Sequence, residues 1–119
     1  MKKTLVMGAS PNPSRYAYLA TQLLQEYGHP LVAFGKQTGQ IGDQPITDEF
    51  PAHETFDTVT LYLNPQHQET FVQPILMLKP KRVIFNPGTE NPAFEQLLRQ
   101  SGIEPVEACT LVMLRTGQY

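Results

Sequence analysis

The chain predicts a single α/β domain built on a five-stranded, mostly parallel sheet in the order 3-2-1-4-5, with helices on both faces. Three observations carry this. Short apolar runs rich in β-formers alternate with segments of helical period, the first four runs end at Gly or Asn-Pro, and no tight hairpin joins consecutive core strands. Strands joined that way need right-handed crossovers, which place helices on both faces of the sheet. A chain of 119 residues suits one such domain and should bury roughly 65% of its unfolded surface.

Thr4 to Met7 is a continuous apolar run, as expected of a central parallel strand buried on both faces. The segment Gly8 to Arg15, G-A-S-P-N-P-S-R, then turns the chain into a helix. Tyr16, Leu19, Ala20, Leu23, Leu24 and Tyr27 draw one apolar stripe, Gly28 stops it, and Ser14 or Asn12 can cap its start. Leu31 to Phe34 is the second strand, ending at Gly35-Lys36. Gln37 to His53 is polar and punctuated by Gly39, Gly42, Pro45 and Pro51, which reads as a long excursion containing at most a short hairpin or turn.

Thr58 to Leu63 is the third strand. Asn64 and Pro65 have the chemistry of an N-cap and first helical residue, opening a helix to about Leu78 with Phe71, Ile75 and Leu78 on one face. Pro74 inside it removes the bond to the Thr70 carbonyl, which predicts a kink or a split. Arg82 to Phe85 is the fourth strand, followed by Asn86-Pro87-Gly88-Thr89. Asn91-Pro92 opens a helix that points Phe94, Leu97 and Leu98 inward and stops at Gly102. Pro105 to Ala108 is the fifth strand and Thr110 to Leu114 a short closing helix.

In open parallel sheets, ligands bind beyond the carboxyl ends of the strands where the winding direction switches. That rule selects Gly8 to Arg15, Gly35-Lys36, Leu63-Asn64 and Asn86 to Thr89. The first of these is a natural anion seat, because a helix start offers unpaired N–H groups and the positive end of the macrodipole. Arg15 adds a cation. The loop lacks both the third glycine of G-x-G-x-x-G and the G-K-[ST] of a Walker loop. At the end of strand 2, where an NAD site carries a carboxylate for the ribose hydroxyls, the chain reads Phe34-Gly35-Lys36. A cation there suits a phosphorylated ribose, namely the 3′-phosphate of coenzyme A or, second, the 2′-phosphate of NADP.

These residues resemble the small stand-alone CoA-binding domain proteins, which are similar in turn to the N-terminal domain of the succinyl-CoA synthetase alpha subunit. The resemblance spans nearly the whole chain through G-A-S-P-N-P-S-R, the Gly-Lys stretch after strand 2, N-P-G-T-E-N from Asn86 to Asn91, and E-A-C ending at Cys109. It implies a Rossmann-like fold that holds the CoA nucleotide across the first loop, with the loops after strands 2, 3 and 4 closing on it. Carried over, the ligand-binding residues are Gly8, Ala9, Ser10, Asn12, Pro13, Ser14 and Arg15, joined by Gly35, Lys36, Leu63, Asn64, Asn86, Pro87 and Gly88. One departure stands out: family members commonly carry P-V-N-P at the end of strand 2, where this chain has A-F-G-K from Ala33 to Lys36. Gly35 is then expected to let a ligand approach the backbone closely. The ligase domain carrying a phosphorylated histidine is missing from the sequence, so no ligase activity is expected.

Composition narrows the partners. With 9 Lys+Arg against 11 Asp+Glu and a formal net charge of -2, no basic stretch suggests nucleic acid or an anionic membrane. No apolar run spans a bilayer, and Met1-Lys2-Lys3 leads into a short strand rather than a signal-peptide core. A cytoplasmic location is expected, and the single cysteine, Cys109, agrees with a reducing compartment. A homodimer or another protein partner stays open. His29, His53 and His67 read as solvated side chains, with His67 at the rim of the strand 3 loop. Cys109 reads as a small buried apolar residue, and Asp43, Asp48, Glu49 and Glu54 as groups that solubilise the long loop. Tyr16, Tyr18 and Phe34 can flank an adenine, although Tyr16 also belongs to the helix stripe. No His/Cys spacing resembles a zinc site.

The expected function is therefore non-catalytic binding of coenzyme A or an acyl-CoA. Two alternatives stand beside it. One is a small enzyme acting on a CoA thioester through Cys109 or His67. The other is an NADP-type nucleotide-binding module or an interaction or regulatory subunit, the latter with a decayed nucleotide site, for which the space above Gly8 would be closed.

Overall fold

The apolar runs do pair side by side, but the sheet they form is wider than their number suggests. A computed structural model describes all residues from Met1 to Tyr119. Its strands are β1 (Thr4–Met7), β2 (Leu31–Phe34), β3 (Gly39–Ile41), β4 (Gln44–Thr47), β5 (Thr58–Leu61), β6 (Arg82–Phe85) and β7 (Glu104–Glu107). They form one sheet in the order β3-β4-β2-β1-β5-β6-β7. All neighbours are parallel except the β3–β4 hairpin.

This corrects the expected count of five and the expected order 3-2-1-4-5. The excursion Gln37 to His53 contains the hairpin, and its second strand, β4, takes the place beside β2. The run beginning at Thr58 consequently pairs with the other side of β1. It is shorter than expected, ending at Leu61, while β7 begins one residue earlier than expected and ends at Glu107.

The pleat sorts alternate side chains into two cores. Leu5, Met7, Val59, Leu61, Val83 and Phe85 face one side, covered by Ile75, Leu78, Phe94 and Leu98. Val6, Ala33 and Ile84 face the other, covered by Leu24 and Leu114 and extended by Ile41 and Ile46 of the hairpin. The covering residues lie on α1 (Tyr16–Glu26) and α5 (Thr110–Arg115) for the second face, and on α3 (Val72–Leu78) and α4 (Pro92–Gln100) for the first. Each fully buried Leu, Ile or Phe contributes roughly 1.5–3 kcal/mol. No helix is long and apolar enough to cross a membrane.

The apolar stripe expected on α1 is rotated. Its buried face is Ala17, Ala20, Thr21 and Leu24, whereas Tyr16 is 71% exposed. Small side chains let the helix lie close to the sheet. The helix expected from Pro65 to Leu78 is split, as Pro74 predicted, into α2 (Pro65–Gln68), a 3₁₀ turn (Glu69–Phe71) and α3. The break leaves Pro74 in the first turn of α3, where an N–H has no partner within its own helix.

At the opposite end of the sheet from the strand-end loops, Tyr119 closes the fold. Its hydroxyl bonds to Thr4 Oγ1, the Arg82 guanidinium lies 4.4 Å from its ring centre, and His29 meets the ring edge-on at 4.9 Å. His29 is therefore not merely solvated: its Nδ1 accepts the Lys2 amide at 3.1 Å. Burial lowers its pKa below the ordinary 6.5, helped by the N-terminal ammonium, Lys2 and Arg82. As pH falls through 6.5 the unfolded chain gains a proton that the folded chain resists, so folding should lose stability toward acid. Urea unfolding at pH 7.5 and pH 5 should show this loss, and His29→Gln should reduce it; an identical loss in the variant would assign it to other groups.

Candidate functional site

Two backbone contacts shape the loop that follows β1. The Gly8 and Ala9 amides both donate to the Phe34 carbonyl at 2.9 Å, drawing the loop across the end of β2. Gly8 turns at φ +94°, a conformation that favours glycine. Gly35 is necessary for a different reason: a Cβ there would lie 2.1 Å from the Ala9 carbonyl oxygen. The close approach expected at Gly35 is thus made by the chain's own backbone.

The rest of the loop is tied locally. Asn12 Oδ1 accepts from the Ser14 amide at 3.0 Å and the Ser14 hydroxyl at 2.8 Å, and Ser10 Oγ accepts from the Asn12 amide at 3.1 Å. Neither Ser14 nor Asn12 caps α1. The N-cap is Arg15, with no side-chain capping bond, and the amides of Tyr16 and Ala17 have no acceptor within the protein. An uncapped helix start with free N–H groups is a site of positive partial charge.

That helix start opens into a cleft of about 1090 Å³ at the carboxyl ends of the strands. The β1 loop contributes Gly8, Ala9, Ser10, Ser14 and Arg15, and the end of β2 contributes Phe34, Gly35, Lys36 and Gln37. The segment after β5 contributes Tyr62, Leu63 and Asn64, and the loop after β6 contributes Pro87, Gly88 and Thr89. The space above Gly8 is open, contrary to what a closed, decayed site would show. Neither Arg15 nor Lys36 forms an ion pair.

Three of the expected site residues lie outside this wall: Asn12, Pro13 and Asn86. Asn12 shapes the loop through the bonds just described. Asn86 is 2% exposed and works beneath the cleft. Its Nδ2 donates to Thr60 Oγ1 at 2.7 Å and to the Leu61 carbonyl at 2.8 Å, while its Oδ1 accepts from the Thr110 amide at 2.8 Å. Asn64, expected both to cap and to border the ligand, lies in the wall and caps α2, its Oδ1 accepting from the His67 amide at 3.0 Å.

Of the two roles open to Tyr16, adenine flank and core stripe, its place in the cleft wall fits the first, and Asp48, expected only to solubilise a loop, lies in the same wall. Phe34 and Phe71 meet edge-on at 5.3 Å and give the wall an apolar side, whereas Tyr18 packs toward the α1–α5 core. The buried Gln68 bridges two loops: its Nε2 donates to the Leu63 carbonyl at 2.9 Å and the Thr89 carbonyl at 2.7 Å, and its Oε1 accepts from Asn91 Nδ2 at 3.0 Å. At the rim, Glu90 Oε1 accepts from the Gly88 amide at 2.9 Å. Polar residues that recruit partners more than twenty positions away leave no local pattern to read.

The candidates for chemistry separate. His67 is exposed in the cleft. Cys109 is half-buried at the start of α5 and does not belong to the cleft wall. Tyr62 does, but its hydroxyl is buried without a hydrogen-bond partner, and burial, with Cys109 nearby, raises its pKa far above the ordinary 10. No group of three or more His, Cys, Asp or Glu residues is arranged to hold a metal ion.

A family model described as a CoA binding domain matches residues 2–115. No curated protein matches the chain. Among solved structures, one described as an uncharacterized protein is 53% identical, with a TM-score of 0.96, covering 100% of this chain and 98% of its own. A Thermus thermophilus protein is 24% identical over 99% of this chain and 90% of its own, with a TM-score of 0.86. A hypothetical protein from Pyrococcus horikoshii is 22% identical over 97% of this chain and 82% of its own, with a TM-score of 0.83. The last two share the fold.

Proposed function

The chain belongs to the CoA-binding domain family, and from that membership we propose that it binds coenzyme A or an acyl-CoA without transforming it. The pyrophosphate sits against the start of α1, Arg15 supplies charge, and Lys36 receives the 3′-phosphate. The observation that carries this reading is the convergence, on one open cleft, of the unpaired Tyr16 and Ala17 amides with two cations that form no ion pair within the protein. Helix-start amides and a guanidinium together suit a phosphate diester. The apolar side formed by Phe34 and Phe71 suits the less polar parts of the same ligand.

The non-catalytic part of the reading is supported by the position of Cys109 outside the cleft wall. A bound thioester would meet a wall whose one imidazole is that of His67, exposed in the cleft. NADP, the second ligand, shares the pyrophosphate and a phosphorylated ribose; the two differ in which ribose carbon carries the phosphate and in the group beyond the pyrophosphate.

Calorimetric titration of the purified protein in low salt tests the reading. Coenzyme A should bind saturably and more tightly than dephospho-CoA. Lys36→Ala should abolish that difference, and Arg15→Ala should weaken both ligands by about tenfold, as expected for loss of one charge-assisted hydrogen bond. No saturable binding of either ligand would end the proposal, whereas equal affinities in the unmodified protein would remove Lys36 from the 3′-phosphate.

A further inference from the structure

We infer that Asp48 decides which ribose carbon of the ligand carries the phosphate, selecting the 3′-phosphate with a free 2′-hydroxyl; this rests on the coenzyme A reading above. The end of β2 lacks the acid of an NAD site, yet the cleft has one. β4 pairs with β2 in the register Phe34↔Thr47, so Asp48 follows β4 level with Gly35, and both Lys36 and Asp48 line the cleft. The Gly35 amide donates to the Thr47 carbonyl at 3.0 Å and locks that register. The carboxylate is delivered to the end of β2 from the neighbouring strand.

Its support is firm on both sides. Ile41 and Ile46 bury the hairpin against the α1–α5 core, and a Cβ on Gly39 would lie 3.0 Å from Pro11 Cβ, so β3 abuts the β1 loop. Two residues after Asp48, Phe50 meets Phe34 edge-on at 5.8 Å and stacks on Phe71 at 6.0 Å. Asp48 is thus held between a paired strand and an aromatic anchor.

Lys36 and Asp48 are not paired with each other. They offer opposite chemistry at the ends of two paired strands: a cation that suits a phosphate, and a carboxylate that only accepts hydrogen bonds when ionised. A 3′-phosphorylated ribose presents a phosphate and a hydroxyl donor on adjacent carbons, which matches that pair. Its 2′-phosphate isomer exchanges the two groups and sets a phosphate against the Asp48 carboxylate. The 5′ pyrophosphate, seated at α1, ties one end of the nucleotide and so opposes turning the ribose over to relieve the repulsion. Rejection by like charge is how a polar pocket separates near-identical ligands.

The test compares coenzyme A with its 2′-phosphate isomer by calorimetry on the full chain, as the unmodified protein, as Asp48→Asn and as Asp43→Asn. Asp43 lies in the hairpin turn outside the cleft wall. The unmodified protein should prefer the 3′-isomer by about tenfold or more. Asp48→Asn should bring the ratio to within about threefold, mainly by gaining affinity for the 2′-isomer, and Asp43→Asn should leave it unchanged. A ratio that survives Asp48→Asn, or a preference of the unmodified protein for the 2′-isomer, overturns the assignment while leaving coenzyme A binding in place. Absence of coenzyme A binding would instead overturn the functional reading beneath it.

Discussion

Gly35→Ala should destabilise the protein by about 2–4 kcal/mol and abolish ligand binding, although it adds a single methyl group. The added Cβ would fall 2.1 Å from the Ala9 carbonyl oxygen and 3.0 Å from the Ala9 carbonyl carbon. Both are backbone atoms, so no flexible side chain can yield. The β1 loop must retreat by more than an ångström, and the bonds from Gly8 and Ala9 to the Phe34 carbonyl go with it. Gly35 is not at positive φ, so the cost is contact rather than backbone conformation. Gly88 provides the reverse case: φ is +93°, but a Cβ would meet nothing within 4 Å. Gly88→Ala should therefore cost about 1–2 kcal/mol of conformational strain and less than Gly35→Ala. Urea unfolding and coenzyme A titration of the two variants check this. A Gly35→Ala protein within about 0.5 kcal/mol of the unmodified one would mean that the loop is not wedged on β2.

What the sequence disclosed follows the range over which its signals act. Central strands and caps are local: Thr4 to Met7, and Asn64 or Asn91 before a proline, announce themselves within a few residues. Strand ends then located the cleft, because parallel topology places ligands there. The hairpin was hidden because β3 and β4 have three and four residues and carry Gly39, Pro45 and several polar groups. Missing it displaced the strand order by one position and concealed Asp48 with it. On α1 the large residues Tyr16 and Tyr27 outweigh Ala17 and Thr21 in the apolar pattern, yet close packing on a sheet favours the small ones. The sequence places Asn86 with Pro87 and Gly88 in the loop after strand 4 and makes it a ligand-binding residue. Its partners Thr60 and Thr110 lie 26 and 24 residues away, and only the folded topology brings them together.

That network gives the second large effect. Asn86→Ala should cost about 3–5 kcal/mol, because the Leu61 carbonyl and the Thr110 amide lose buried partners and an amide-sized void remains. Asn86→Asp separates the two halves of the side chain's role. The new carboxyl keeps an acceptor for the Thr110 amide, but when ionised it has no proton to offer Thr60 or the Leu61 carbonyl. Burial and the facing carbonyl then favour its protonated form in the folded state, raising its pKa above the unfolded value of about 3.9. The folded protein holds the proton longer than the unfolded one, so the variant should approach the unmodified protein's stability near pH 4 and lose it as pH rises toward 7. Asn86→Ala should stay below the unmodified protein by a constant amount over the same range. The harm should extend to coenzyme A binding in both variants, since the loop that Asn86 anchors carries Pro87 and Gly88 into the cleft. Denaturant midpoints at pH 4.5 and pH 7 decide between a hydrogen-bonding and a space-filling role. A parallel pH dependence for the Ala and Asp variants would show that the amide donates nothing the fold requires.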